Sequence, residues 1–110
     1  MSAMQNLTAF VNNDTTFQMQ VTQYGSPLNL TPYTLKLYVK ATPQALDSTA
    51  TVYTAGSGLT MIQVRGGLFN FVLPHANAAA AGTFWWRVDI VDTFLNTGTA
   101  LYGYLYIVAA

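Results

Sequence analysis

Any chemistry in this chain would have to come from very few residues. There is one histidine, His75; the acids are Asp14, Asp47, Asp89 and Asp92; the bases are Lys36, Lys40, Arg65 and Arg87. Cysteine and glutamate are absent. A serine nucleophile needs an exposed serine on a tight turn and a histidine oriented beside it, and no Gly-x-Ser-x-Gly occurs. His75 follows Pro74 and reads as a surface residue at the start of a helical turn. Asp89 and Asp92 lie three apart on a strand pattern, so they face opposite ways and do not form a carboxylate pair. Asp89 is better placed as a cross-strand partner of Lys36 or of the neighbours of Arg87, and Asp92 as a turn residue. With no EF-hand spacing and a single histidine, a metal site is not expected. Gly56-Ser57-Gly58 and Gly66-Gly67 lack the lysine and helix of a phosphate loop and read as turns. The expectation is a chain with no enzymatic activity, cofactor or metal.

What remains is aromatic. Residues 84–91 read Phe-Trp-Trp-Arg-Val-Asp-Ile-Val. On a strand, Phe84, Trp86, Val88 and Ile90 take one face, and Trp85, Arg87, Asp89 and Val91 the other. The last segment repeats the pattern: Leu101, Gly103, Leu105 and Ile107 share one parity, and Tyr102, Tyr104, Tyr106 and Val108 the other. A sheet with one face in water reads hydrophobic-in, polar-out. Here the outward parity carries Trp and Tyr, so a partner is expected to cover it. The candidate partner-binding residues are Tyr38, Trp85, Tyr102, Tyr104 and Tyr106, with Val72, Val91 and Val108 adding to the patch. Rings of this size bury ~150–250 Å² each, which brings the patch close to the ~800 Å² per partner of a standard interface.

The elements that must position these residues are short strands. Phe17, Met19 and Val21 alternate with Gln18, Gln20 and Thr22, and Tyr33, Leu35, Leu37 and Val39 alternate with Thr34, Lys36, Tyr38 and Lys40. Phe69, Phe71 and Leu73 do so again before Pro74 ends the strand. Weaker strands are expected over residues 7–11, 50–54 and 59–64. A loop is expected over 41–48, one helical turn over 75–81, and a hairpin turn at Leu95-Asn96-Thr97-Gly98. The expected inner face comprises Phe17, Met19, Val21, Leu35, Leu37, Val39, Phe69, Phe71, Phe84, Trp86, Val88, Ile90, Leu105 and Ile107. About seven antiparallel strands with turn chemistry between them imply an all-β, immunoglobulin-like β-sandwich. Residues 1–14 form an N-terminal arm or first short strand, and 15–110 the sandwich.

Composition narrows the setting. The chain has 110 residues, 52% of them hydrophobic and 7% charged, with a formal net charge of zero. Globular proteins average about 25% charged residues, and solubility favours a net charge away from zero. Such a sequence suits life inside an assembly. Near-neutrality leaves no electrostatic footprint for nucleic acid or an anionic membrane. No apolar run reaches the ~20 residues of a spanning helix. The N-terminus lacks the basic and apolar regions of a signal peptide, and the chain reads as mature.

Several short motifs carry a resemblance. Pro27-Leu28-Asn29-Leu30-Thr31 leads into Leu35-Lys36-Leu37-Tyr38-Val39-Lys40. A glycine, Gly67, precedes an alternating strand ending in Leu73-Pro74. Gly82-Thr83-Phe84, Val88-Asp89-Ile90-Val91-Asp92 and Leu101-x-Gly103-x-Leu105-x-Ile107 follow in order. Over residues 15–108 this series resembles the small immunoglobulin-like domains of tailed-phage virion proteins. These occur at the N-termini of baseplate and receptor-binding proteins and as small head or tail components. The low charge and the Trp85-Trp86 pair depart from their pattern. The resemblance implies a virion structural protein, assembled in the host cytoplasm, that binds the major capsid protein, tail proteins or copies of itself. A capsid decoration or cement subunit is the first expectation and a tail or baseplate adaptor the second. A carbohydrate-binding module displayed on the particle is the alternative of another class, since Trp and Tyr platforms also bind sugars.

Overall fold

The computed structural model describes residues 3–23, 25–42, 44, 48, 50–78 and 80–109. The strongly alternating segments form strands β3 (Thr15–Gln20), β6 (Thr34–Lys40), β9 (Leu68–Leu73), β10 (Gly82–Val91) and β11 (Thr97–Val108). The weaker patterns give β2 (Leu7–Phe10), β7 (Thr51–Ala55) and β8 (Gly58–Gln63). Three pieces of two residues complete the set: β1 (Ala3–Met4), and β4 (Thr22–Gln23) paired with β5 (Ser26–Pro27). Pro43 and Asp47, in the expected 41–48 loop, and Tyr24 lie outside the described residues.

Nine strands join one sheet in the order β1-β11-β10-β6-β7-β8-β9-β3, with β2 also against β11. The sheet curls nearly closed around one apolar core. By order along the sheet, β1 and β2, β11, β10, β6 and β7 are taken as one layer and β8, β9 and β3 as the other. The fold turns from one layer to the other between β7 and β8, where only Thr54–Gly58 and Ala55–Leu59 are paired. Gly56 and Gly58 sit at this corner with φ of 83° and 98°, a region glycine enters without a Cβ clash. A side chain on Gly58 would run into the ring of Tyr53.

All fourteen residues expected to face inward are in the core or packed against it. Trp86, Leu37, Leu105, Phe69 and Phe71 are fully buried, and complete burial of such a side chain is worth about 1.5–3 kcal/mol. The rings of Tyr53 and Phe71 meet edge-on at 4.9 Å.

The structure is all-β, as expected, but it corrects the strand count and directions. Eleven strands are present among the described residues, with two short 3₁₀ turns, Val64–Gly66 and His75–Ala78. Three pairings are parallel: β1 with β11, β2 with β11, and β7 with β8. The N-terminal segment lies in the sheet. β1 and β2 share one register along β11, from Ala3 opposite Leu101 to Phe10 opposite Val108. Between them the Gln5 carbonyl leaves the ladder and accepts a hydrogen bond from Trp86 Nε1 at 3.1 Å. Gly103 makes this possible, because a Cβ there would collide with the Gln5 carbonyl.

Candidate interaction face

The outward face of β6, β10 and β11 gathers all five residues singled out in the sequence. In the ladder, Trp85 lies opposite Tyr104, Arg87 opposite both Tyr102 and Tyr38, and Thr83 opposite Tyr106. Side chains opposite one another on one face are within contact distance, and here they tile the sheet. The Trp85 ring meets Tyr104 edge-on at 5.3 Å and Tyr102 at 5.5 Å. Tyr104 and Tyr106, two apart on β11, stack at 6.2 Å. The Arg87 guanidinium lies over the Tyr38 ring, 4.5 Å from its centroid, a favourable cation–π placement.

Arg87 is also anchored. Its Nε donates to both Asp89 oxygens at 3.1 Å, and the Thr99 hydroxyl donates to Asp89 at 2.9 Å. A bulge after Val88 brings Asp89 opposite Thr99. Lys36 is opposite Asp89 in register, as expected, but the carboxylate's close partner is Arg87 on its own strand. Asp89 and Lys40 are buried on this face and Lys36 is exposed on it, so with Arg87 the rings lie among half of the chain's eight charged residues.

The lateral packing has a cost in exposure. All five rings are half-buried, each covered in part by its neighbours. The rim supplies residues that sequence reasoning left out. Met4 pairs with Tyr102, Phe10 with Val108, and Val52 with Tyr38, so all lie on the same face. Met4 is 54% exposed, Phe10 48% and Val52 43%. The Leu7/Thr8/Ala9/Phe10 alternation was the available signal for Phe10; no local pattern places it beside β11. Val72 is a correction: it pairs with Thr16 on β9 and β3, in the other layer, and is not part of this patch.

The polar residues form local struts. His75 Nδ1 lies 2.9 Å from Asp14 Oδ1, which also accepts from the His75 backbone N–H at 2.6 Å. That backbone bond, then the ring contact, holds the Asp14 carboxyl below its ordinary range. Both side chains are about two-thirds exposed. Asp92 is lowered chiefly by the backbone N–H of Asn96. Burial raises the Tyr53 hydroxyl, which accepts a hydrogen bond from Asn77 at 2.6 Å. No cluster of three metal-ligating side chains occurs among the described residues.

No protein-family model and no curated protein matches the sequence. Among solved structures, the chain is similar to the N-terminal domain of phage TP901-1 ORF48, with a TM-score of 0.62. The match covers 98% of this chain and 86% of that one, at 11% sequence identity. At that identity the likeness is one of fold.

Proposed function

We propose that this chain is a non-enzymatic structural subunit of a phage particle, joined to other virion proteins through the aromatic face of β6, β10 and β11. The observation that carries the reading is the tiled set of Trp85, Tyr102, Tyr104, Tyr106 and Tyr38, with the Arg87 guanidinium over the Tyr38 ring and Asp89 buried beneath it. Interface cores are depleted in charge and enriched in Tyr, Trp and Arg. The fold likeness to a phage protein domain supports the virion setting. The immunoglobulin-like reading belongs to the same proposal: two facing layers with inward alternation support it, although their linkage through β7 and β8 sets this chain apart from a sandwich of two separate sheets.

Within that role, a tail or baseplate adaptor is favoured over capsid decoration, because the matched fold is the N-terminal domain of a phage protein, a module joined to something further. Binding acts by mass action, since a subunit that prefers the assembled partner shifts the equilibrium toward it.

The test is co-sedimentation of the purified chain with isolated tails, with tailless heads, and separately its retention on a glycan column. Sedimentation with tails supports the adaptor, and with heads the decoration subunit. Loss of either in a Trp85→Ser/Tyr104→Ser variant that still folds places the contact on this face. Retention on glycan without binding to particles overturns the proposal in favour of a carbohydrate-binding module.

A further inference from the structure

The N-terminal segment has a built seat. β1 and β2 pair with β11 and with no other strand among the described residues, in one register. The residues between them are fastened to the same strand. Gln5 N–H donates to the Tyr102 carbonyl at 2.8 Å, and Tyr104 N–H to Asn6 Oδ1 at 3.1 Å. Leu7 and Ala9 enter the core, 4% and 1% exposed, and the Gln5 carbonyl meets the Trp86 indole. What fits this seat is on view: residues 3–10 of this same chain.

The segment joins the rest of the molecule through a short hinge. Residues 11–14 separate β2 from β3 and carry the chain from one end of the strand order to the other. Both ends of the hinge are anchored. Val11 N–H donates to the Val108 carbonyl at 2.9 Å on the segment's side, and the Asp14 carboxylate accepts from His75 N–H at 2.6 Å on the β3 side. Between the anchors the bent form is held by Asn12 N–H on the Ala78 carbonyl at 2.9 Å and Asn13 N–H on the Phe10 carbonyl at 3.2 Å. Asn12 has φ of 62°, in the left-handed region that residues with a Cβ seldom use. Straightening residues 12 and 13 gives up those two bonds and relieves that φ. The β11 ladder and the burial of Leu7 and Ala9 are kept whole if a second copy supplies the β11. Four extended residues reach up to about 14 Å, enough to pass from one copy to a neighbour in contact with it. Short hinges under strain invite such an exchange, and exchanging an identical element is a ready route to dimers.

We propose that residues 3–10 of one copy seat on β11 of a second copy, and reciprocally, with Asn12 and Asn13 as the pivot. The exchanged pair repeats the arm's contacts of the closed chain and loses only the pivot bonds. Tethering favours the closed form in dilute solution, and exchange gains where copies are held close together. Each aromatic face is then rimmed by the arm of the other copy. The exchange does not depend on what that face binds.

The chain has no cysteine, so single thiols at facing positions read the exchange directly. Phe10 and Val108 are opposite in register and both exposed, and paired strands about 4.8 Å apart are within disulfide reach. Phe10→Cys and Val108→Cys chains, their folding checked by circular dichroism, are unfolded, mixed in equal amounts, refolded together at about 1 mM and oxidised. Exchange gives a covalent dimer joined from position 10 to position 108, identified by peptide mass spectrometry, which neither chain forms alone. Met4→Cys with Tyr102→Cys, at the other end of the ladder, gives the same result. Asn12→Pro fixes φ near −65° and favours an extended residue before it, so it excludes the bent hinge. In sedimentation velocity it lowers the concentration at which dimers form by at least about tenfold. A chain lacking Asn12 and Asn13, whose hinge is too short to bend back, takes its place if the proline variant does not fold. Mixtures that cross-link no more than their separate chains, dimers that form without the cross-links, or a hinge variant that dimerises no more readily than wild type each overturns the proposal. Two aromatic faces packed together give the second result.

Discussion

The two outward faces of the rolled sheet are made from the same element type and read very differently. On β3, β8 and β9 the outward residues include Thr16, Gln18, Gln20, Thr60 and Asn70, with Gln18 and Thr60 both opposite Asn70. Leu68, Val72 and Ile62, the last 49% exposed, interrupt what is otherwise the hydrophobic-in, polar-out pattern of a solvated antiparallel sheet. On β6, β10 and β11 the corresponding positions include Tyr38, Trp85, Tyr102, Tyr104 and Tyr106, beside Lys36, Lys40, Arg87 and Asp89. Both layers share one core, so the core does not account for the difference. The difference is the ground for proposing that a partner covers the second face.

The sharpest way to break that comparison is to remove what lies beneath the aromatic face. Trp86, next to Trp85 in sequence, is fully buried with its indole N–H bonded to Gln5. Trp86→Ala should cost about 3–5 kcal/mol, read as a fall in the denaturant midpoint, with both faces lost together. Gly103→Ala should cost about 1–3 kcal/mol by overpacking and expose the amides of β1 to hydrogen exchange. An unchanged exchange pattern would mean that the Gln5 crossing is not what Gly103 serves. Trp85→Ala should lower stability by only about 1 kcal/mol, the worth of a cross-strand pair, while abolishing particle binding. The matched control, Gln18→Ser on the polar face, should stay within about 0.5 kcal/mol and leave binding intact. If both substitutions act alike on binding, the two faces are not functionally distinct.

The smallest effect concerns pH. Asp14 has its carboxyl held below the ordinary value of 3.8 by His75. A depressed acid contributes stability that is present above that value and lost as pH falls through its folded-state value. Melting temperatures of wild type and Asp14→Asn should therefore differ at neutral pH and converge in acid. The gap should be small because both side chains are exposed.

Much of this was written in local periodicity. Strict alternation put Trp86 in and Trp85 out, and the same parity argument gathered Tyr102, Tyr104 and Tyr106 with them. What parity could not supply was which strand lies beside which. Val72 shares the outward parity but belongs to the other layer, because the β7–β8 corner intervenes. Met4 and Phe10 join the aromatic face only through a pairing across almost the whole chain. At the β10–β11 turn, Asn-Thr-Gly offers obvious left-handed positions, yet the positive φ falls on Leu95 and Gly98 is in β11. There the Asp92 carboxylate fixes the turn one step earlier than the glycine suggests.

The parallel seam of β1 and β2 along β11 also sets a timetable. Ala3 is opposite Leu101, so β1 and β2, made early in synthesis, have no partner until β11 has left the ribosome. Contacts so distant in sequence slow folding, and in the interval β11's neighbours present an unpaired edge that other chains could join. In a protein whose folded surface carries Trp and Tyr outward, the open edge and the aromatic face are exposed together. The period just before closure is when the chain is most open to aggregation.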